Sequence, residues 1–256
     1  MNRKKIALIT GATSGIGEAT ARILANNGYN IIITGRREDR LTSLKQELSA
    51  ITTVETLCFD VRNKEEVFAA IDSLDPQWRN IDALINNAGL AVGLGPVHNG
   101  VIDDWDRMID TNIKGVLYML KAISPLMIAR NSGHIINISS IAAKEVYLNG
   151  NVYCGTKHAL DSITGSIRME LLPHHIRVTS INPGMVETEF SLVRFKGDDE
   201  KADNVYKNVD PLKAEDVADV ILYCLNCPPH MNLHEVIVMP SAQASVRMVR
   251  KKDGTI

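Results

Sequence analysis

The sequence predicts an α/β fold, a doubly wound parallel sheet of about seven strands with helices on both faces, in one domain. Three observations carry this. Seven short runs are apolar along their length rather than alternating, as strands buried on both faces are. Helical segments separate them, so the strands are joined by crossovers and not by hairpins. The 256 residues are 45% apolar and 23% charged, enough core for one large domain and ordinary for a globular protein.

The elements follow in order. Residues 5–10 (KIALIT) read as a strand and 15–27 as a helix ending before Gly28. Residues 29–34 form a second strand, and 38–49 a helix with Leu41, Leu44 and Leu48 at helical spacing. A strand at 54–59 precedes a helix near 63–74, and a strand at 81–86 precedes two helices near 103–111 and 113–130. A strand at 133–139 leads to a helix from Asn151 to about Leu172. Strands at 176–181 and 234–239 enclose a helix near 214–226. Residues 187–212 have no clear period and are rich in charge, as a functional loop or lid would be. No repeat or linker divides the chain.

Composition narrows the function. A net charge of −2 draws neither nucleic acid nor an anionic membrane, and the basic residues Arg247, Arg250, Lys251 and Lys252 read as a solvated tail. No apolar run reaches the length of a membrane span, and residues 1–10 read as part of the fold rather than as a leader. Cys58, Cys154, Cys224 and Cys227 fit a reduced, cytoplasmic setting as small apolar residues; Cys224 and Cys227 lack the second pair that a zinc site needs, so no metal is expected.

Two features carry chemistry. The first strand runs into Gly11-Ala12-Thr13-Ser14-Gly15-Ile16-Gly17 and then a helix. Gly11 permits the turn, Gly15 lets the backbone approach a pyrophosphate, and Gly17 lets the helix pack on the sheet. The helix N-terminus then meets the anion. The second strand ends in Gly35-Arg36-Arg37, where an acid would hold the ribose of NAD. Two guanidinium groups suit a 2′-phosphate, so NADP(H) is the expected cofactor. Separately, Tyr153 and Lys157 stand four residues apart, one helical turn, where a cation can tune a phenol as general acid or base.

With TGATSGIG, NNAG at 86–89, Asn112 in TNIKG, Ser140 in NISS, Tyr153-x-x-x-Lys157 and Pro183-Gly184 all in order, the chain resembles the short-chain dehydrogenase/reductase family over nearly its whole length. The resemblance implies a Rossmann fold and assigns roles. Tyr153 exchanges the proton and Lys157 lowers its pKa and holds the nicotinamide ribose. Ser140 holds the substrate oxygen; its neighbour Ser139 is expected to point the other way. Asn112 holds a water through its backbone at a helix break. Asp60 and Val61 contact the adenine, and Asn87, Ala88 and Gly89 lie along the adenosine ribose. Pro183, Gly184, Val186 and Thr188 fix the nicotinamide side.

The stretches NAGLAVGLGPV, GNVYCGTK and VETEFSLVRFKGDDEKAD are similar to a branch of NADP-dependent 3-hydroxy acid dehydrogenases. That branch implies a small-molecule substrate: serine, L-allo-threonine, 3-hydroxypropionate or a sulfonate analogue. Arg194 in the lid segment could bind a carboxylate or sulfonate bidentately. Phe195 would close the pocket, and Tyr147 is a second lining residue. Lys144 and Glu145 are expected on the surface, and His134 in a structural place. The alternatives are a 3-oxoacyl-carrier-protein reductase and, in another class, a dinucleotide sensor without turnover. The resemblance also implies a homotetramer, for which Leu160, Ile163, Ile167 and Leu171 offer an apolar helix face.

Overall fold

The computed structural model describes residues 3–256. Seven strands form one sheet: β1 (Ile6–Ile9), β2 (Asn30–Gly35), β3 (Val54–Cys58), β4 (Ile81–Asn86), β5 (Gly133–Ile138), β6 (Ile176–Pro183) and β7 (Glu235–Val238). Their order is β3-β2-β1-β4-β5-β6-β7, and every pairing is parallel. This is the Rossmann strand order with one strand added at the far edge. The chain reverses direction across the sheet between β1 and β4, where open α/β sheets bind ligands.

Helices cover both faces. On one lie α1 (Gly15–Asn26), α2 (Glu38–Leu48) and α9 (Ala214–Asn226), whose Leu24, Leu41 and Ile221 share one apolar core with Ile31, Ile33, Ile85 and Ile181 of the sheet. On the other lie α3 (Lys64–Asp72), α5 (Val116–Ile128) and α6 (Asn151–Leu171), whose Val67, Met119 and Leu160 meet Leu8, Leu84 and Ile135. Alternate residues of β1–β6 therefore serve opposite cores, which is why those strands carry apolar residues on both faces, while β7 at the edge leaves Glu235 and Ile237 exposed.

Several expectations are corrected. The two helices expected near 103–130 are one continuous run: α4 (Ile102–Ile109), a π-helical turn over Asp110–Gly115, then α5. The segment 187–212 is not without structure. It holds α7 (Phe190–Arg194) and α8 (Asp199–Tyr206), too short for the period to show. The face of α6 offered for assembly is used internally: Leu160 and Leu171 are buried in the core, with Ile163 and Ile167 packed against it. Lys144 is half-buried and pairs with Asp161 at 2.8 Å and Glu235 at 2.6 Å. Glu145, also half-buried, accepts a hydrogen bond from the Val246 amide. Cys58 is exposed, while the other three cysteines are buried. His134 is buried, bonds Thr179 Oγ1 at 2.8 Å, and has its pKa pushed down to about 3, first by burial. Among the described residues, no helix is long and apolar enough to cross a membrane.

Candidate active site

A cavity of about 490 Å³ opens above the C-terminal ends of β1, β2, β4, β5 and β6. The glycine loop forms one end. Gly11 and Gly15 take φ of +66° and +53°, a region that disfavours side chains. A Cβ on Gly17 would collide with Asn87 Nδ2 and the Gly11 carbonyl. No side chain caps α1: Ser14 instead accepts a 2.9 Å bond from Arg37 Nη2. The uncapped positive end of α1, with Gly15 and Ile16 lining the cavity, suits an anionic pyrophosphate.

The strand ends place the remaining cofactor candidates. Thr10 Oγ1 accepts from the Asn87 and Ala88 amides, and Asn87 Nδ2 donates to the carbonyls of Thr10 and Gly11. Asn87, Ala88 and Gly89 are thereby fixed at the cavity wall. Asp60 and Val61 line it beside Arg36 and Arg37. Arg36 reaches Asp60 at 3.5 Å, while Arg62 holds the same carboxylate at 2.6 Å. Across the cleft, Pro183, Gly184, Val186 and Thr188 line the opposite wall. A Cβ on Gly15 would touch the Thr188 side chain.

Ser140, Tyr153 and Lys157 meet at the deep end. α6 carries Tyr153 and Lys157 on one face, both buried. Lys157 Nζ donates to the Ile138 carbonyl at 3.0 Å and lies 5.9 Å from the Tyr153 ring centroid. Burial pushes its pKa down to about 8. Burial likewise raises the pKa of the Tyr153 phenol; the charge of Arg194, and then a bond with the Ser140 hydroxyl, act to lower it. The nearest cation to the ring is therefore not Lys157 but Arg194, whose guanidinium carbon is 5.1 Å from the centroid.

Asn112 lies in the π-turn, an irregularity within the continuous helical run and not a break in it. Its buried side chain is fully used. Oδ1 accepts from the Leu90 amide at 2.9 Å, and Nδ2 donates to the Leu90 carbonyl and to Thr156 Oγ1. It thus ties α4–α5 to the loop after β4 and to α6. Ser139 also borders the cavity beside Ser140. Its hydroxyl is buried without a partner. Ser140 Oγ accepts from the Ala142 amide at 3.1 Å, which holds it in place.

Segment 187–212 closes the cavity. Arg194 donates to the Tyr147 hydroxyl at 2.9 Å and packs on the rings of Tyr147, Tyr153 and Phe190. Its Nε is buried with no partner. Tyr147 has its pKa pushed up to about 12, first by burial. Phe195 does not line the cavity; Phe190 does, edge-on to Tyr153 at 5.7 Å between centroids. Lys196 turns away to pair with Asp104 at 2.7 Å.

The family model for short chain dehydrogenase matches residues 5–198. The chain belongs to the short-chain dehydrogenase family. Among its relatives, the NADP-dependent 3-hydroxy acid dehydrogenase of Salmonella typhi is 48% identical over 240 residues, covering 93% of this chain and 96% of that protein. Sulfoacetaldehyde reductase 2 of Chromohalobacter salexigens is 44% identical over 240 residues, covering 93% of this chain and 95% of that one. The closed form of a serine dehydrogenase complexed with NADP+ superimposes with a TM-score of 0.90 at 45% identity, covering 93% of this chain and 96% of the other.

Within this short-chain dehydrogenase, sequence reasoning missed Gln243 and Glu189 of the cavity wall and Arg40 beside it. Gln243 is buried near the C-terminus, and its Oε1 accepts from the Met185 amide at 2.8 Å. Nothing local in the sequence marks it. Glu189 and Arg40 were legible only as a charge beside Thr188 and a third arginine one turn after Arg37. They pair with each other at 2.6 Å. Among the described residues, no cluster of three or more His, Cys, Asp or Glu could hold a metal ion.

Proposed function

We propose that the chain interconverts short 3-hydroxy acids and their 3-oxo counterparts, with Arg194 holding the acid group and Tyr153 moving the proton. The coarser statement is firm: the chain is an NADP-dependent oxidoreductase that acts on a CH–OH group. One observation carries the finer reading. A guanidinium packed on the Tyr153 ring keeps a buried N–H donor unsatisfied. An unmet buried donor costs about 1–3 kcal/mol, so a ligand that meets it gains. A carboxylate or sulfonate pairs with that fork in two-point geometry.

The residues divide the work. Bound NADP supplies or accepts the hydride. Ser140 Oγ holds the substrate oxygen, and Tyr153 Oη gives it a proton in reduction or takes one in oxidation. Burial keeps that phenol protonated at neutral pH, which suits reduction; oxidation needs the anion and is favoured as pH rises. Lys157 Nζ, anchored on the Ile138 carbonyl, places a cation 5.9 Å from the Tyr153 ring centroid and would hold the nicotinamide ribose. Asn112 acts by holding the loop after β4 against α6. Phe190 and Arg194 keep water from the reacting carbon. Segment 187–212 is the lid in this reading.

The test is NADP-dependent oxidation of 3-hydroxypropionate, its methyl ester, and a 3-hydroxyacyl thioester by the native enzyme. Preference for the free acid supports the reading. Equal rates on acid and ester, or preference for the thioester, contradict it and favour carrier-linked or general carbonyl reduction. The proposed assembly is a homotetramer, resting on family membership; a monomer mass by light scattering at micromolar protein would contradict it.

A further inference from the structure

Glu189 stands at the N-terminal edge of α7 and reaches across the cleft to the end of β2. Its Oε2 accepts from Arg37 Nη1 at 2.8 Å, and its Oε1 accepts from Arg40 Nη1 at 2.6 Å. Arg37 has no donor nitrogen left over. Nε bonds Thr13 Oγ1, and Nη2 bonds Thr13 and Ser14. An incoming phosphate therefore meets the Glu189 carboxylate at Nη1 and competes with it for Arg37 and Arg40. The weakest tie is the carboxylate, because the three side chains are each about two-fifths exposed and water can replace it. Although burial alone would raise its pKa, the bonds from Arg37 and Arg40 hold the Glu189 carboxyl below the usual range, so it is an anion at neutral pH.

We propose that Arg40 belongs with Arg37 to the 2′-phosphate site, and that Glu189 is an internal counter-ion that occupies these cations until that phosphate displaces it. The inference rests on the NADP reading and extends it to two residues. Two guanidinium groups facing one carboxylate leave a net positive charge, which still attracts the nucleotide. Arg36 pairs with Asp60 only at 3.5 Å and is the freest cation, suited to first contact. The device has a direct consequence for substrate binding. Glu189 is five residues from Arg194, and α7 spans the interval. Exchange of carboxylate for phosphate releases the N-terminal tether of α7, while the Arg194 carbonyl stays bonded to the Gly93 amide at 3.0 Å. NAD lacks the group that makes this exchange. The same acid therefore lowers the affinity of the site for NADP and ties lid freedom to the correct cofactor.

Fragments without nicotinamide isolate the effect. Binding of 2′,5′-ADP and of 5′-AMP would be measured by calorimetry for the native protein, Glu189→Gln and Arg40→Ala. The expectation is that Glu189→Gln binds 2′,5′-ADP about tenfold more tightly and leaves 5′-AMP within about twofold, while Arg40→Ala weakens only 2′,5′-ADP. Native protein also provides a test without variants: 2′,5′-ADP should speed amide hydrogen exchange in residues 190–206, and 5′-AMP should not. Native discrimination with no change, or weaker 2′,5′-ADP binding, in Glu189→Gln overturns the counter-ion role. Equal native affinity for the two fragments overturns the 2′-phosphate site itself, and with it the NADP reading of these arginines.

Discussion

Two cations flank the Tyr153 ring, and they are built in opposite ways. Lys157 comes from the long helix α6, one turn from Tyr153 itself, buried and anchored on a main-chain carbonyl. Arg194 comes from the short helix α7, in a separate segment further along the chain, and is held by ring stacking and one phenol. The first is rigid and desolvated, so its charge is costly and its pKa falls to about 8. The second sits in a segment stitched down by ion pairs at Glu189, which is partly exposed, and at Lys196, whose partner Asp104 is buried. Chemistry common to a family can be fixed in a core helix. Recognition of one substrate class can be placed on a segment that moves without disturbing that core.

Perturbing each side should separate these roles. Tyr153→Phe removes the proton donor, and kcat/KM should fall by about 10²–10⁴-fold while NADPH binding, read by fluorescence, is kept. Lys157→Met should show itself in stability against pH. Folding lowers the Lys157 pKa from its ordinary 10.5 to about 8, so the native state binds fewer protons than the unfolded chain between those values. Its burial penalty is therefore full below about pH 8 and disappears as pH rises towards 10.5, about 3 kcal/mol in all. Denaturant titrations of the cofactor-free protein should show that rise in the native chain and its loss in Lys157→Met.

Asn112→Ala should cost about 2–4 kcal/mol, because it leaves Leu90 and Thr156 with buried unmet groups. A lowered denaturation midpoint would check it. The smallest effect belongs to the lid. Lys196→Ala leaves the buried Asp104 carboxylate without its ion-pair partner and should cost about 1–2 kcal/mol, seen first as faster proteolysis near residue 196.

The same contrast explains what the sequence revealed. Seven apolar runs announced the two-faced sheet, because every strand but the edge strand β7 serves both cores. Tyr153, Lys157, Ser140 and the glycine loop were legible because their spacing is local: one helical turn, one strand end, one tight turn. The π-turn at Asp110–Gly115 read as two helices, since one extra residue only offsets the period. α7 and α8 were unreadable because five and eight residues give too few turns for a pattern. Gln243, Ser139 and the pairing of Glu189 with Arg37 depend on tertiary approach, and no spacing encodes that. The apolar face of α6 shows a related limit: periodicity shows that a face is buried and not what buries it.

The most direct test of the account compares 3-hydroxypropionate with its methyl ester in the native enzyme and in Arg194→Ala. The account predicts that the variant loses about 10–100-fold in kcat/KM on the acid and little on the ester, so that the preference disappears. An acid-to-ester ratio unchanged by the substitution would contradict it and would leave Arg194 as a packing residue over Tyr153.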